Sequence, residues 1–377
     1  MISFRPSEDE TAFFKVARKL AEEQIRPQAK EMEDSKQVSS DLIHEMKDLG
    51  FLSLELPESL EGLELPLMTQ VQILQGLTYG DLGVMQGMPD CGDAASVFRV
   101  YQGDLKVKLR NQVVAFINIP EENWNKPLTI TKKDDGYVLN GESEPVRLAK
   151  QADQMVVCGS DDRGNKVVLL VDETNSWSVE EGDYRLGLLT AGIGRVKMEK
   201  EFVSHHQVLA EGIEADQLIK KALMRIQILQ AAKEVGLMEA ALDYATEYTA
   251  NRKAFGQEIA KFQGVSFRIA KMAIETRVAN HLLWEAAVKA DQESEDAEGL
   301  ALRAIYRAHK SLRYVTDSAV QLLGGHGFIQ EFPVEKWMRD AQTQVALYGR
   351  ELDYLHRWGK KIVGAKESKV VKAYDFV

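Results

Sequence analysis

The segment QLLGGHGFIQEFPVEKWMRDAQTQVALYGR, residues 321 to 350, concentrates residue types that could hold a ligand or move a proton. Gly324 and Gly325 lack a Cβ, so backbone built there can approach a bound group closely. Arg339 and Asp340 are adjacent opposite charges, which read first as a structural ion pair or a cap. Tyr348 precedes Gly349, and Glu351 follows shortly after. An unperturbed phenol has a pKa of about 10, so at neutral pH a tyrosine is mostly protonated. Upstream, Arg252 in ANRKAFG carries a guanidinium whose donors form a rigid fork suited to phosphate. The same arginine also reads as a helix-end cation offsetting the helix dipole.

The other reactive types are sparse. Cys91 and Cys158 show no metal-type spacing, are too few for a disulfide framework, and read as small core residues. Of the seven histidines only His205 and His206 are close in sequence, and neighbours on a strand point to opposite faces. No metal site is indicated. The formal net charge of −11 argues against nucleic acid or an anionic membrane as the main partner, while leaving room for a local basic pocket. The start MISFRPSEDE has no apolar signal core, and no apolar run approaches the roughly 18 residues of a membrane span. A soluble cytoplasmic protein is the default expectation.

The chain, 377 residues and 45% apolar, is long enough for two or three units with a sizeable core. The first part reads as helices. Ser7 and Glu10 have capping-box spacing; Phe13, Val16, Ala17 and Leu20 fall at helical intervals; Ser39 or Ser40 caps DLIHEMKDLG. LELPESLEGLELP reads as a connection, and TQVQILQGLTYGDLG as a third helical run. Near residue 112 the pattern changes to short Val- and Ile-rich runs. The pairs Asp135–Gly136, Asn140–Gly141 and Arg163–Gly164 between them predict turns of a hairpin-built β region. From about residue 215 helical periodicity returns, with Leu218, Leu223, Ile226, Leu229, Leu237, Ala241 and Ala245 along one side. Two further long helices follow, their ends marked by Gly299 and by Gly324–Gly325, and DQESEDAEG reads as a solvated loop. Long helices with short connections pack as an antiparallel bundle. The expected class is a multidomain α+β chain: helices over 1–111, a β region over 112–214, and a helical bundle over 215–377.

This order resembles the acyl-CoA dehydrogenase family. ARKLAEEQIRPQAKEMED and LIHEMKDLGFLSLELPESLEG carry the resemblance near the start. VGLMEAALDYATEYTANRKAFGQEIAKFQ and QLLGGHGFIQEFPVEKWMRDA carry it, more specifically, in the last domain. It covers nearly the whole chain. The resemblance implies a helical domain, a middle β-barrel and a C-terminal four-helix bundle, commonly in dimers or tetramers. It implies FAD between β domain and bundle, with the ADP portion reaching a neighbouring subunit. In the family reaction a glutamate takes the proton next to the thioester, and the flavin takes a hydride from the next carbon. On the matching motifs, Arg252 stands where the family pairs with the pyrophosphate. Phe255 follows that arginine, Phe262 is counted with the cofactor-binding residues, Gln263 matches a residue at the adenine end, and Gln321 with Gly324 and Gly325 matches the turn beside the ADP portion.

Elsewhere the family pattern is broken. Counting from Arg339, Tyr348 occupies the place of the usual glutamate. The alternative base position, counted back from Leu237, is Ile226. Glu351 is the nearest substitute, but reaching the same point would need a rearranged segment, and it also reads as a solvated helix carboxylate. NIPEENWNKPLTI replaces the stretch that contacts flavin and substrate, with Trp124 more simply a wall residue. Pro145, Val146 and Arg147 replace the segment touching the flavin ring. Arg225 is out of register with the family's thioester-tail contact, and Lys220, Lys221 and Arg225 read as a solvated face. The losses fall on ring-holding and proton-transfer groups, the matches on groups that reach across a subunit boundary. The expectation is therefore a non-catalytic or FAD-site-completing subunit, in a homo- or hetero-oligomer with chains of the same family. An active dehydrogenase using Glu351 and a flavin-free acyl-CoA-binding homo-oligomer are the alternatives. FAD is expected to be shared with a partner, or weak or absent in the isolated chain.

Overall fold

The computed structural model describes residues 8–103, 109, 112–120, 128–180, 185–349 and 351–367. Ser7 of the capping box and Trp124 lie outside them. Helices α1 (Glu8–Leu20), α2 (Arg26–Ser35), α3 (Ser40–Asp48), α4 (Leu67–Thr78), α5 (Leu82–Gln86) and α6 (Ala94–Val100) open the chain. Pro27 stands just past a π-helical turn over Ala21–Ile25 that carries the helix on from α1 into α2, a local irregularity beside the residue that lacks an N–H. Ser39, not Ser40, caps α3, accepting from the Leu42 N–H at 3.4 Å. The run expected as one helix around residues 69–83 is two. Gly80 packs so tightly that a Cβ there would lie 2.8 Å from Ile25, and Asp81 turns extended and caps α5 through the Val84 N–H at 2.9 Å.

The β region forms two four-stranded sheets. One has the order β1 (Val114–Asn118), β4 (Gln154–Ser160), β5 (Lys166–Val171), β8 (Val208–Glu211). The other has β2 (Thr129–Lys133), β3 (Gly136–Val146), β7 (Gly194–Ser204), β6 (Ser178–Glu180). Their inner faces share a core that includes Ile117, Ile130, Leu139, Val157, Leu169 and Val196. A single bridge between Ile130 and Asp161 ties the sheets together at one edge. Two readings need correction. β1 and β4 pair in parallel, so the region is not all hairpins, because β2 and β3 between them enter the opposite sheet. Asn140–Gly141 is no turn but a bulge inside β3, where Thr129 Oγ1 donates to the Asn140 carbonyl and the register against β7 slips. Arg163–Gly164 does turn the chain between β4 and β5, with Gly164 at φ +84°.

The last part is α7 (Gly212–Asn251), α8 (Gln263–Asp291), α9 (Ala297–Leu323), α10 (Val334–Tyr348) and α11 (Glu351–Glu367), with a two-residue hairpin, β9 (Lys253–Ala254) and β10 (Gln257–Glu258), after α7. Their core is continuous with that of the first helices. Small residues set the helix spacing: a Cβ on Gly236 of α7 would lie 2.1 Å from Thr78 Oγ1 and 2.5 Å from the Gln75 carbonyl of α4. Gly299 does not end a helix. It lies within α9 beneath Trp358, which a Cβ would meet at 2.4 Å. Gly324, at φ +59°, does end α9. The expected solvated loop is anchored at its first residue, since Asp291 accepts from the Leu67 and Met68 N–H groups at 2.8 and 3.0 Å and so caps α4. Among the described residues no helix is long and apolar enough to cross a membrane.

Candidate functional site

Where α7 ends against the end of α9 there is a cavity of about 320 Å³, lined by Tyr248, Arg252, Ile259, Leu322, Gly324, Gly325 and His326 among others. Arg252 is the extended residue that terminates α7, its N–H donating to the Tyr248 carbonyl at 2.9 Å. Its side chain is exposed and has no hydrogen-bond or ion-pair partner among the described residues. One wall is fixed by Tyr248, whose hydroxyl lies 2.7 Å from His326 Nδ1, and by Phe332 stacked on the imidazole at 4.8 Å. A Cβ at Gly324 or Gly325 would meet nothing within 4 Å, so the space over this turn is open within the chain. Phe255 is 95% exposed at φ +53°, its ring edge-on to Phe262 at 6.2 Å. Gln263 and Gln321 are exposed at helix ends and are not among the lining residues. The fold thus gathers Arg252, Gly324 and Gly325 around one cavity, with Phe255 and Phe262 beside it.

Tyr348 lies at a second place, where α5, α6, α7, α10 and the end of β3 converge. Its hydroxyl donates to Asp93 Oδ2 at 2.9 Å, and the Gln230 amide donates to Asp93 Oδ1 at 2.8 Å. Burial, and then the charge of Asp93, push the phenol well above its ordinary pKa. Across from it, Arg147 donates to Asp90 Oδ1 and to the Gln86 carbonyl, both at 2.9 Å. Burial opposes the guanidinium's charge, but the Asp90 carboxylate, with Asp93 behind it, outweighs that and raises its pKa. Lys233 donates to Gln86 Oε1 at 3.0 Å; burial, then the Arg147 charge, lower its pKa to about 8. Behind these, Gln86 donates at 2.7 Å to both Gln230 and Gln344, and Gln344 donates to Glu234, which meets His309 at 2.9 Å. Two cations, Arg147 and Lys233, face two carboxylates, Asp90 and Asp93, so the near charges cancel.

The remaining residues singled out in the sequence fall elsewhere. Ile226 is buried on the α7 stripe that continues through Gln230 and Lys233, positions four and seven residues on. Glu351 opens α11 and pairs with Arg313 of α9. Arg225 is not on a solvated face. It is buried, with Nε and Nη2 on the Glu55 carboxylate at 2.6 and 2.8 Å, and Glu55 also accepts from Gln70 and Ser96. Lys220 is exposed and pairs with Asp216 at 2.6 Å; Lys221 is exposed. Arg339 and Asp340 bind different partners: Arg339 pairs with Glu33 and Glu335, and Asp340 accepts from Lys336 and from the Leu188 N–H. Pro145 and Val146 are paired with β7, Val146 in the sheet core. Asp90, Asp93, Gln86, Gln230 and Lys233 escape sequence reasoning. The only local sign is Gly92 between the two aspartates; the contacts come from other elements.

The comparisons with known proteins agree with this architecture. Residues 7–97 match the family model for the acyl-CoA dehydrogenase N-terminal domain, and residues 217–351 match that for the acyl-CoA dehydrogenase C-terminal domain. The chain is 26% identical over 360 residues to the benzylmalonyl-CoA dehydrogenase of Aromatoleum aromaticum, covering 90% of this chain and 94% of that one. It is 25% identical over 351 residues to the 3-(aryl)acrylate reductase of Clostridium sporogenes, covering 89% and 93%. Among solved structures, the butyryl-CoA dehydrogenase of Megasphaera elsdenii superposes with a TM-score of 0.86 at 23% identity, covering 96% of this chain and 100% of that one. PigA with FAD and proline also superposes at 0.86, at 19% identity, covering 97% and 100%. At these identities the structural likeness speaks for the fold.

Proposed function

The chain belongs to the acyl-CoA dehydrogenase family, and on that premise we propose that it is a non-catalytic subunit which helps complete a partner chain's FAD site and does not itself oxidise acyl-CoA thioesters. The observation that carries this reading is Tyr348. A protonated phenol, donating to Asp93 and held well above its ordinary pKa, stands where the resemblance sets the base. Ile226 at the alternative position takes no proton. Asp93 itself is covered, since Tyr348 and Gln230 already donate to its two oxygens. The reading in which Glu351 is the base is disfavoured by its ion pair with Arg313. Arg225, locked on Glu55, is likewise engaged away from any thioester tail.

The residues present fit one part of FAD and not the other. The cavity beside α9 suits a pyrophosphate: Arg252 offers a guanidinium with no partner among the described residues, and Gly324–Gly325 leaves open backbone beside it. The ring portion does not fit, because the resemblance sets the segment of Arg147 against the ring, and here that arginine is turned to an ion pair with Asp90. When bound in a complete site, FAD supplies the two-electron acceptor. This chain's contribution is to orient the ADP end and, through Phe255, to offer an apolar contact to the neighbouring copy or partner. The test is purified chain with butyryl-CoA and an artificial electron acceptor, together with co-expression alongside a complete family member. We expect no turnover above background, and Arg252→Ala lowers the flavin content of the co-expressed partner. Robust turnover by the chain alone, or a partner whose flavin content is indifferent to this chain, rejects the proposal.

A further inference from the structure

We infer that Arg147, through its pairing with Asp90, is the residue that keeps a flavin ring from seating on this chain, and that removing the two together lets the ring seat. The inference rests on the family reading above, which sets the segment containing Arg147 against the ring. Arg147 leaves the end of β3 and reaches the chain between α5 and α6, so its guanidinium joins the β region to the first helical part.

Its position is built rather than incidental. Gly92 has φ +46°, and a Cβ there would fall 2.1 Å from Arg147 Nη2, so both the backbone and the guanidinium require glycine at that point. Asp90 Oδ1 accepts from the Gly92 N–H at 2.8 Å and from Arg147 at 2.9 Å, fixing loop and guanidinium to one oxygen. The second terminal nitrogen is fixed by the Gln86 carbonyl. Gln86 in turn receives Lys233 and donates to Gln230, which holds Asp93 against Tyr348. A planar aromatic system entering here would have to displace Arg147 and leave the half-buried Asp90 without its cation, which is unfavourable. Removing only the arginine would create the same fault, whereas removing both charges leaves no unpaired ion, at the cost of one partner each for the Gly92 N–H and the Gln86 carbonyl.

The experiment compares full-length wild type with the double variant Arg147→Ser, Asp90→Ser. FAD binding is measured by equilibrium dialysis, and ring seating by the visible flavin band and its fluorescence. We expect the wild type to leave the ring's spectrum unperturbed, and the double variant to bind FAD at least about tenfold more tightly with a shifted band. A double variant that melts like wild type yet binds FAD no more tightly overturns the inference. So does a wild type that already perturbs the ring's spectrum. Should the serine pair not fold, Arg147→Gln with Asp90→Asn removes the charges and keeps polar contact. The same gain is expected, and a folded variant without it is equally decisive. An unresponsive variant alongside an Arg252-dependent effect on a partner's flavin would sink this inference alone; turnover of butyryl-CoA by wild type would sink the non-catalytic reading beneath it.

Discussion

Tyr348 gives its hydroxyl proton to a hydrogen bond with Asp93, and that bond defines what the side chain does at the residue scale. Tyr348→Phe removes the donor and leaves Asp93 with the Gln230 amide alone, so we expect a loss of about 1–2 kcal/mol in urea unfolding. A variant as stable as wild type would mean that the hydroxyl contributes nothing to the fold. Lys233 makes a second prediction, because its pKa of about 8 lies below the ordinary lysine value of 10.5. Between those values the unfolded chain binds the proton more tightly than the folded one, so stability rises with pH across that window. The penalty is full below about pH 8 and is relieved above it, amounting to at most about 3 kcal/mol. Lys233→Met has no such penalty. Denaturant melts should therefore show wild type gaining on the variant between pH 7 and pH 10, and a constant difference would contradict the buried, cation-crowded setting of the amine. Tyr348 and Ile226 are picked out by a motif and a count, which give positions along the chain and not the partners found there, Asp93 for the phenol and the α7 stripe for the isoleucine. Arg225 was misread because its partner, Glu55, lies on a distant loop, and nothing local distinguishes a buried ion-paired arginine from a solvated one.

Elements were more legible than contacts. Apolar spacing marked the long helices because a stripe facing the core recurs with the helical period, whether or not its partners are known. Punctuation was less secure. Asn140–Gly141 became a bulge and Gly299 a packing glycine, since the same residue that permits a turn also permits close approach. Gly236 shows the second use most sharply. It lets α7 cross α4 at a distance that a methyl group would forbid, with one obstacle a hydroxyl and another the Gln75 backbone carbonyl. We therefore expect Gly236→Ala to destabilise the chain by about 1–3 kcal/mol, read as a lower denaturant midpoint. The gain in helix propensity from alanine, about 1 kcal/mol, is not enough to reverse the sign if α4 cannot shift. An unchanged or raised midpoint would show that the crossing has slack.

At the scale of the whole molecule the two sites separate by what each asks of other chains. The Arg147 cluster has its charges paired and balanced within one chain, while the Arg252 cavity is open, with a guanidinium that no described residue answers. Beside the cavity the surface is unusually apolar: Phe255 is 95% exposed and Phe328 is 75% exposed. Phe255 also holds a left-handed backbone conformation, unfavourable for an aromatic residue, and its only ring contact among the described residues is edge-on to Phe262. Side chains presented in this way bury area only against another molecule. Phe255→Asp keeps the fold, because the ring buries almost nothing in its own chain, and its unfolding midpoint should stay within about 0.5 kcal/mol of wild type. In sedimentation velocity the variant should shift toward the 42.3 kDa monomer, while wild type runs as a larger species. If both sediment alike as assemblies, the contact between copies lies on another face, and the open cavity is then completed by something other than the chain that Phe255 would touch.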